Sequence, residues 1–483
     1  MTRTQTALCT ACAALAVASL AAQAPLDRTK IPSPGKPAVL RVPAWTTSTL
    51  ANGADLMVSE KHDLPLVSFS ITFLGGADQF EPPDRRGVGL LTASMLSEGT
   101  ATRDGEALSN ALQLLGTSVQ TTMGGESGTM TFQSTSAKLG ATLDILADML
   151  LNPAFPPAGL ERLRAQRLVQ LNQAKAQSGA IAARVFPRIL YGSAHPFGQA
   201  TTEESVKAIT RDDIVAFHQA YFRPGRALVT VVGDVSAPAA KAEVERALAK
   251  WPAGGDKPAF TYPALPARRP STIYLVDKPG AAQSTFSIGN PGPPRNTPDY
   301  YALQVMNVIL GGQFQSRLNA NIREEKGYSY GVNSSFAYGK GPGPFRAGGD
   351  IVTAKSDLAL IEFMKELRGI EGSRPITDEE LTTAKDALTQ RLPGTFGSVA
   401  GINTALTTVW TQGLPADYYQ QYGAHIAAIT KDDVLRVARK YIDLDHLAIV
   451  IVGDRATIEG PLKATGIAPI ALTDIEGNPQ TGQ

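Results

Sequence analysis

The chain has 483 residues, of which 43% are hydrophobic, and length alone suggests about three domains with substantial cores. Its 45 lysines and arginines balance 44 aspartates and glutamates, so the formal charge is +1. Because a nucleic-acid backbone is bound by clustered positive charge, we expect no nucleic acid among the partners.

Residues 1–24 predict a secretory signal peptide. Arg3 precedes a nearly uncharged stretch rich in alanine and leucine, with small residues up to Ala24. A mitochondrial presequence is the competing interpretation, but it should be amphipathic and arginine-rich. We therefore expect export, with the bacterial periplasm as the destination. Both cysteines, Cys9 and Cys12, lie in this stretch, so the mature chain would have no disulfide and no thiolate metal ligand. No later stretch is apolar for long enough to predict a membrane span.

Strand-like and helix-like patterns alternate along residues 38–252, which we predict to form an N-terminal domain. β-Branched and aromatic residues predict a strand at 66–74, and alternating polarity predicts another around Thr131. Apolar periodicity predicts helices at 88–96, 108–115 and 157–178. The half closes with a strand at 227–235 that ends in a Gly-Asp turn.

Five prolines and a Gly-Gly pair between Trp251 and Pro270 predict a semi-rigid linker, which we place at residues 253–270. A C-terminal domain is predicted at 271–470, with two strands and then a helix at 300–310. Thr377 and Glu380 have the spacing of a capping box and predict the start of a long polar helix. Residues 471–483 are predicted to form a tail.

One segment of the chain occurs twice. The residues from Ile209 to Val235 reappear from Ile429 to Arg455 without a gap, at an offset of 220 residues. A repeat of this kind predicts two halves of the same fold. Because hairpin-like strand pairs outnumber βαβ units, we expect each half to be α+β, with helices layered on an antiparallel-rich sheet.

Four segments of the chain form an ordered set of motifs: Gly87-Val88-Gly89 through Met95-Leu96, His195-Pro196-Phe197-Gly198, Val232-Gly233-Asp234 and Arg323 through Tyr330. In these segments the chain resembles peptidase family M16, the pitrilysin or insulinase type, in its two-domain M16B form. It implies two homologous LuxS/metallohydrolase-like halves that form a chamber.

The zinc motif of that family is missing. Active members carry His-x-x-Glu-His on the helix after the first glycine, where histidines four apart bind zinc and glutamate is the general base. The matching positions here are Leu90, Leu91, Thr92, Ala93 and Ser94. The third ligand, a glutamate, is replaced by Gln170. The resemblance therefore implies that this chain binds no cofactor and that zinc belongs to a partner subunit.

The remaining histidines do not suggest a substitute metal site. No two of them stand at helical ligand spacing with a carboxylate, so structural or surface roles are favoured. They are His62, His195, His218, His425 and His446.

Two residues of the second half match the part of the family that contacts substrate. The resemblance assigns Arg323 and Tyr330 to stabilising the substrate or the transition state across the chamber, with Tyr328 as the neighbour that could be confused with Tyr330. From the residues alone, this run also fits a solvated helix end with Gly327 as its C-cap. Residues 339–343 resemble a phosphate loop in composition only and predict a flexible loop.

Two functional hypotheses follow. In the first, the chain is the non-catalytic subunit of a heterodimeric M16B peptidase, and a zinc-bearing homologue hydrolyses a peptide or unfolded polypeptide bound along an edge strand. In the second, it is a catalytically dead structural or peptide-binding homologue, like a core-type subunit of a larger assembly. A self-sufficient metallopeptidase with displaced ligands is the least favoured reading. We do not expect the chain to hydrolyse peptides alone.

Overall fold

A computed structural model describes residues 40–480 of the chain. The predicted signal peptide, both cysteines and the last three residues lie outside the described residues. Within the described part, no helix combines the length and the apolar character that a bilayer crossing requires.

The first half is built on a six-stranded sheet in the order β1-β2-β6-β3-β5-β4. All neighbouring strands are antiparallel except β2 and β6, which are parallel. The strands are β1 Thr46–Thr49, β2 Asp55–Glu60, β3 Leu66–Leu74, β4 Gln120–Met123, β5 Ser127–Thr135 and β6 Ala227–Gly233. The helices are α1 Ala77–Phe80, α2 Val88–Met95, α3 Gly105–Leu114, α4 Leu139–Leu151, α5 Pro157–Ala174, α6 Ser178–Tyr191, α7 Glu203–Ala208, α8 Arg211–Tyr221 and α9 Ala237–Ala247.

The second half has a matching sheet in the order β12-β7-β11-β8-β10-β9. Here β7 is parallel to both β11 and β12, and the other pairs are antiparallel. The strands are β7 Thr272–Asp277, β8 Gln283–Pro291, β9 Ser329–Phe336, β10 Pro344–Val352, β11 Ala448–Gly453 and β12 Ile470–Thr473. The α-helices are α10 Tyr300–Leu310, α11 Ser356–Arg368, α12 Asp378–Gln390, α13 Leu392–Thr395, α14 Val399–Gln412, α15 Tyr418–Ala428, α16 Lys431–Tyr441 and α17 Arg455–Ala464. The half also contains two π-helices, Asn319–Glu325 and Gly369–Ser373.

Strand register shows how the halves correspond. Asp55 lies opposite Leu228 in the first sheet, and Thr272 lies opposite Ala448 in the second. Leu228 and Ala448 are separated by the 220-residue offset of the repeat. Asp55 and Thr272 therefore occupy equivalent positions on β2 and β7.

The repeated segment folds in the same way in both halves. Helices α8 and α16 begin with the same capping box. The side chains of Thr210 and Thr430 accept hydrogen bonds from the backbone N–H groups of Asp213 and Asp433, and the carboxylates of these aspartates accept hydrogen bonds from the backbone N–H groups of the threonines. Each helix leads to a fully buried strand, β6 or β11.

Each half places one helix on the sheet of the other. Helix α6 of the first half packs on β8 and β11, while α14 of the second half packs on β3 and β6. The contact of α6 is apolar and includes Val185 and Phe186, which cluster with Tyr274 and Val450. Burial of these side chains stabilises the association of the halves, because apolar surface leaves water.

The predicted α+β class with two homologous halves is confirmed. The strand at 66–74 and the helix at 300–310 have the predicted bounds, and Thr377 forms its capping box. Residues 253–270 contain neither helix nor strand. The domain boundaries stay predictions, and β12 extends the second sheet to Thr473, within the segment predicted as a tail.

Candidate functional site

Helix α2 carries the positions of the missing zinc motif. Leu90 and Ser94 are four residues apart and share one helix face. The Ser94 hydroxyl donates a hydrogen bond to the Leu90 carbonyl oxygen at 2.9 Å, a contact within the helix itself. Ala93, at the position of the general base, is fully buried. None of these side chains offers an imidazole or a carboxylate.

A carboxylate holds the start of α2. Glu81 accepts hydrogen bonds from the backbone N–H groups of Gly87 at 2.9 Å and Gly89 at 2.8 Å. Negative charge is stabilising at a helix N-terminus. Gly87 itself has a φ of 101°, which favours glycine at this position. Glu81 is thus engaged by the helix and by Arg86, whose Nη1 lies 3.7 Å from its carboxylate.

The third family position, Gln170, lies on the exposed side of α5. Arg167 stands one turn earlier, and its Nη1 donates to Gln170 Oε1 at 3.4 Å. Burial and the nearby charge of Arg184 lower the pKa of Arg167. A guanidinium at this place repels a divalent cation. The four degenerate positions therefore do not fit zinc, and residues 40–480 contain no cluster of three or more His, Cys, Asp or Glu side chains suited to a metal ion.

The histidines lie in separate surroundings. His62 at the surface contacts Asp234 at 2.9 Å and Glu60 at 3.3 Å, and the hydrogen bonds to these two carboxylates raise the pKa of His62. His218 Nε2 lies 2.8 Å from the Leu150 carbonyl oxygen. The others are His446, which contacts Asp443, His425, which stacks on Tyr301, and His195, which is buried among aromatic rings.

Arg323 lies in the π-helix Asn319–Glu325 of the second half. Its guanidinium carbon is 4.1 Å from the centre of the Phe314 ring, and its Nη1 is 2.5 Å from Glu324 Oε1. The side chain keeps 30% of its surface exposed. π-Helices are rare and occur frequently at functional sites. The arrangement gives a partly exposed cation whose orientation is restricted by an aromatic ring.

Tyr330 lies on β9 at the edge of the second sheet and is 90% exposed. Along this strand Val332 and Phe336 point into the core, whereas Asn333 and Ser335 are exposed. Tyr328 differs from Tyr330, because it packs partly against the core of the second half. Burial thus distinguishes Tyr330 from Tyr328, which could be confused with it in the sequence.

Side-chain amides fix the π-helix to its neighbours. The Val332 backbone N–H donates to Asn319 Oδ1 at 3.0 Å, which joins the π-helix to β9. Asn321 Nδ2 donates to Glu362 and to Glu366 on α11, both at 2.8 Å. Sequence reasoning missed Asn319 and Asn321, although two buried asparagines beside Arg323 suggest a polar network.

Two family models match this chain. The model described as Insulinase (Peptidase family M16) matches residues 57–194, and the Peptidase M16 inactive domain matches residues 208–388. Together they span more than half of the sequence. The chain belongs to peptidase family M16.

The relatives of this M16 chain include proteins named as proteases and as non-peptidases. It is 23% identical to an uncharacterized zinc protease of Bacillus subtilis over 343 residues, 70% of this chain and 81% of that protein. It is 23% identical to a non-peptidase homolog of Helicobacter pylori over 407 residues, 83% of this chain and 92% of that protein. A crystal structure of a peptidase M16 inactive domain from Pseudomonas fluorescens superposes with a TM-score of 0.77 at 28% identity, covering 85% of this chain and 98% of that one.

The glycine-rich loop at 339–343, predicted to be flexible, is held by the first half of this M16 chain. The Lys340 backbone N–H lies 2.9 and 2.8 Å from the two carboxylate oxygens of Glu126, and the Gly341 N–H lies 3.1 Å from one of them. Tyr262 of the linker donates its hydroxyl to Glu126 at 2.6 Å. The backbone N–H groups of the loop thus bind an anion, which is a side chain of the same protein.

His195 packs beneath this loop. Its ring stacks on Tyr262 at 5.7 Å between centroids, and its Nδ1 accepts a hydrogen bond from the Phe197 backbone at 3.1 Å. Tyr191 donates its hydroxyl to the Pro342 carbonyl oxygen at 2.8 Å. Burial lowers the pKa of His195. The His-Pro-Phe-Gly motif therefore takes part in packing between the halves.

Proposed function

We propose that this M16 homologue is the non-catalytic subunit of a heterodimeric M16B zinc peptidase in the bacterial periplasm. A zinc-bearing homologue would bring the metal and the general base. This chain would contribute Arg323, Tyr330 and a wall of the chamber that binds a peptide or an unfolded polypeptide.

The exposure of Tyr330 is the observation that carries the proposal. A ring that is 90% exposed contributes little to folding, because the hydrophobic effect requires removal of apolar surface from water. Its phenolic hydroxyl is a donor suited to a developing oxyanion. The side chain is therefore better placed for contact with another molecule than for packing in its own half.

The free edge of β9 supports a peptide substrate. Among the described strands, β9 pairs with β10 on one side and with none on the other. The unpaired backbone groups of such an edge can accept an extended peptide as an added strand. Backbone pairing gives affinity with little demand on peptide sequence, since side chains take no part in it.

Arg323 suits recognition of the peptide's carbonyl groups. Its Glu324 partner is 57% exposed, so the ion pair is weakened by water and can be exchanged for a substrate contact. The Phe314 ring, 60% exposed, holds the guanidinium while leaving part of its donor fork accessible.

A second candidate is a homologue without any catalytic partner, which binds peptides or serves a structural role. The name of the Helicobacter pylori relative, a non-peptidase homolog, favours it. Under this candidate, β9 would capture peptides and release them uncleaved.

Peptide hydrolysis by three samples separates the candidates: this chain, a homologue from the same organism with an intact His-x-x-Glu-His motif, and their mixture. We expect turnover in the mixture alone, with zinc found by elemental analysis in the homologue alone. Replacing the motif glutamate of the homologue by glutamine should abolish that turnover and serves as the control. Stoichiometric zinc in this chain would contradict the proposal. Unchanged activity with no association on gel filtration would favour the second candidate.

A further inference from the structure

A cavity of about 600 Å³ lies at the edge of the second sheet opposite to β9. Its walls are the last turn of α6, linker residues 266–270, strands β7, β11 and β12, and residues 477–479 after β12. A volume of this size is typical of small-molecule sites. The resemblance to M16 peptidases assigned no catalytic or binding role to any residue of this cavity.

The floor of the cavity is apolar. Leu190 from α6, Tyr274 from β7 and Leu447 before β11 line it, and each is less than 9% exposed. Pro266 and Pro270 of the linker add rigid apolar surface. A ligand that binds here removes apolar surface from water on both sides of the contact.

Positive charge lies around this floor. Arg268 Nη1 is 2.5 Å from Asp443, and His446 is 2.9 Å from the same carboxylate. Arg188 and Arg269 also line the cavity but form no ion pair with another residue of the described chain. The residues that line the cavity thus include three arginines and no carboxylate, so its lining carries a net positive charge.

An indole, a carboxylate and an ammonium group meet at the equivalent place in the first half. Helices α6 and α14 match at an offset of 221 residues, and each ends at a glycine with positive φ, Gly192 at 70° and Gly413 at 65°. Trp410 of α14 is therefore the counterpart of Ile189 of α6. The Trp410 indole N–H donates a hydrogen bond to the Asp55 carboxylate at 2.8 Å. Asp55 on β2 is the equivalent of Thr272 on β7.

Lys257 takes part in this contact of the first half. Its Nζ is 2.7 Å from Asp55 and 5.2 Å from the centre of the Trp410 ring. In the second half, Ile189 and Thr272 provide neither the indole nor the carboxylate, and both line the open cavity. The side chains at this place thus differ between the two copies of the fold.

We propose that this cavity binds an anionic amphiphile, a carboxylate on an apolar chain of fatty-acid size. The carboxylate would accept hydrogen bonds from Arg188 and Arg269, which form geometrically suitable and charge-assisted contacts with such a group. The chain would lie on Leu190, Tyr274 and Leu447. This site is separate from the β9 edge invoked for peptide binding.

Calorimetric titration of the full chain with dodecanoate below its micellar concentration tests the proposal. We expect saturable binding of one molecule per chain. Dodecanol and dodecyltrimethylammonium, which have the same chain length without negative charge, should bind at least about tenfold more weakly. Equal binding of the three ligands, or no binding of dodecanoate up to its micellar concentration, would overturn the proposal.

Variants locate the binding. Arg188→Ala and Arg269→Ala should each weaken dodecanoate binding by about tenfold or more. Ile189→Trp copies the first half and should fill the cavity, so binding should be lost while all the charges remain. Arg246→Ala, an exposed arginine of α9, is the matched control and should bind as the parent chain does. Parent-like binding by the Arg188→Ala/Arg269→Ala double variant would overturn the assignment, whether or not the Ile189→Trp protein folds.

The proposals for peptide hydrolysis and for dodecanoate binding can be tested independently of each other. Arg188→Ala should leave peptide turnover by the reconstituted pair unchanged, and Tyr330→Phe should leave dodecanoate binding unchanged, because the sites lie at opposite edges of one sheet. Loss of both properties in either variant would contradict separate sites.

Discussion

The two exchanged helices occupy equivalent places but contact their sheets through different chemistry. On α14, the buried Asn403 accepts a hydrogen bond from the Ser70 hydroxyl at 2.8 Å, and its Nδ2 donates to the Ser68 and Thr230 carbonyl oxygens at 3.3 and 3.4 Å. The equivalent residue of α6 is Ala182, which belongs to an apolar cluster. One topology thus tolerates two kinds of interface, and both the oxygen and the nitrogen of the buried Asn403 amide have partners.

The helices α8 and α16 show the same divergence. Tyr221 and Tyr441 are equivalent, yet the Tyr221 hydroxyl donates to the Gly75 carbonyl oxygen at 2.6 Å, whereas that of Tyr441 donates to Asp299 at 2.7 Å. Asp299 also accepts hydrogen bonds from Arg436 and Lys440, at positions where the first half has alanines. The second half therefore ties α16 to α10 by charge, and the first half packs α8 on α2 without it.

The largest effect is expected at the apolar contact of α6. Phe186→Ala should lower the free energy of unfolding by about 3–5 kcal/mol, because Phe186 is 3% exposed and the substitution leaves a cavity. Urea denaturation measures this change. Phe314→Ala, the same substitution at a residue that is 60% exposed, should change stability by less than about 0.5 kcal/mol. A cost below about 1 kcal/mol for Phe186→Ala would show that this contact does not hold the halves together.

The charged contact of α16 should depend on pH. Burial by itself would raise the pKa of Asp299, but hydrogen bonds from Lys440, Tyr441 and Arg436 outweigh it and lower the pKa to about 2. Because the folded pKa lies below the unfolded value, this stabilisation is present above about pH 4 and is lost as the pH falls towards 2. Asp299→Asn should cost about 2 kcal/mol at pH 7.

Urea unfolding at several pH values tests this account of Asp299. The difference between the parent and Asp299→Asn should shrink as the pH falls from 4 to 2. Asp63→Asn, at a surface ion pair with a 71% exposed carboxylate, should show little difference at any pH. A pH-independent difference for Asp299→Asn would mean that its ionisation does not stabilise α16.

The polar contact of α14 should give the smallest of these effects. Asn403→Ala leaves the buried Ser70 hydroxyl without its acceptor and should cost about 1–2 kcal/mol in urea unfolding. The Asn403→Ala/Ser70→Ala double variant should cost less than the sum of the two single variants. Asn110→Ala, at an exposed position of α3, is the matched control. Additive single effects would remove the hydrogen bond from the explanation.

Local pattern predicted most of the fold. Apolar periodicity and capping residues lie within one element, so the strand at 66–74, the helix at 300–310 and the box at Thr377 could be read from the sequence. The sequence could not predict that α6 and α14 each pack on the sheet of the other half, because an apolar helix face does not specify which sheet covers it. The contact of Glu126 with Lys340 spans 214 residues and leaves no local signal.

The candidate site, like the fold, could be predicted from the sequence only in part. The spacing of the family motif placed Leu90, Ala93 and Ser94 on one helix, and the repeated segment predicted two similar halves. The guanidinium of Arg167 beside Gln170, and the burial that separates Tyr328 from Tyr330, depend on tertiary packing. Sequence reasoning could not reach these features, since they arise from residues that meet only in the folded chain.

The central claim is that the second half contributes to peptide hydrolysis and the former zinc position of the first half does not. Turnover of the reconstituted pair tests it directly, with Tyr330→Phe and Arg323→Ala compared with Ser94→Ala. We predict kcat/KM values lower by about 10²-fold for the first two variants, as expected for lost oxyanion donors, and a parent-like value for Ser94→Ala. Parent-like turnover by Tyr330→Phe and Arg323→Ala, or an equal loss in Ser94→Ala, would contradict the account.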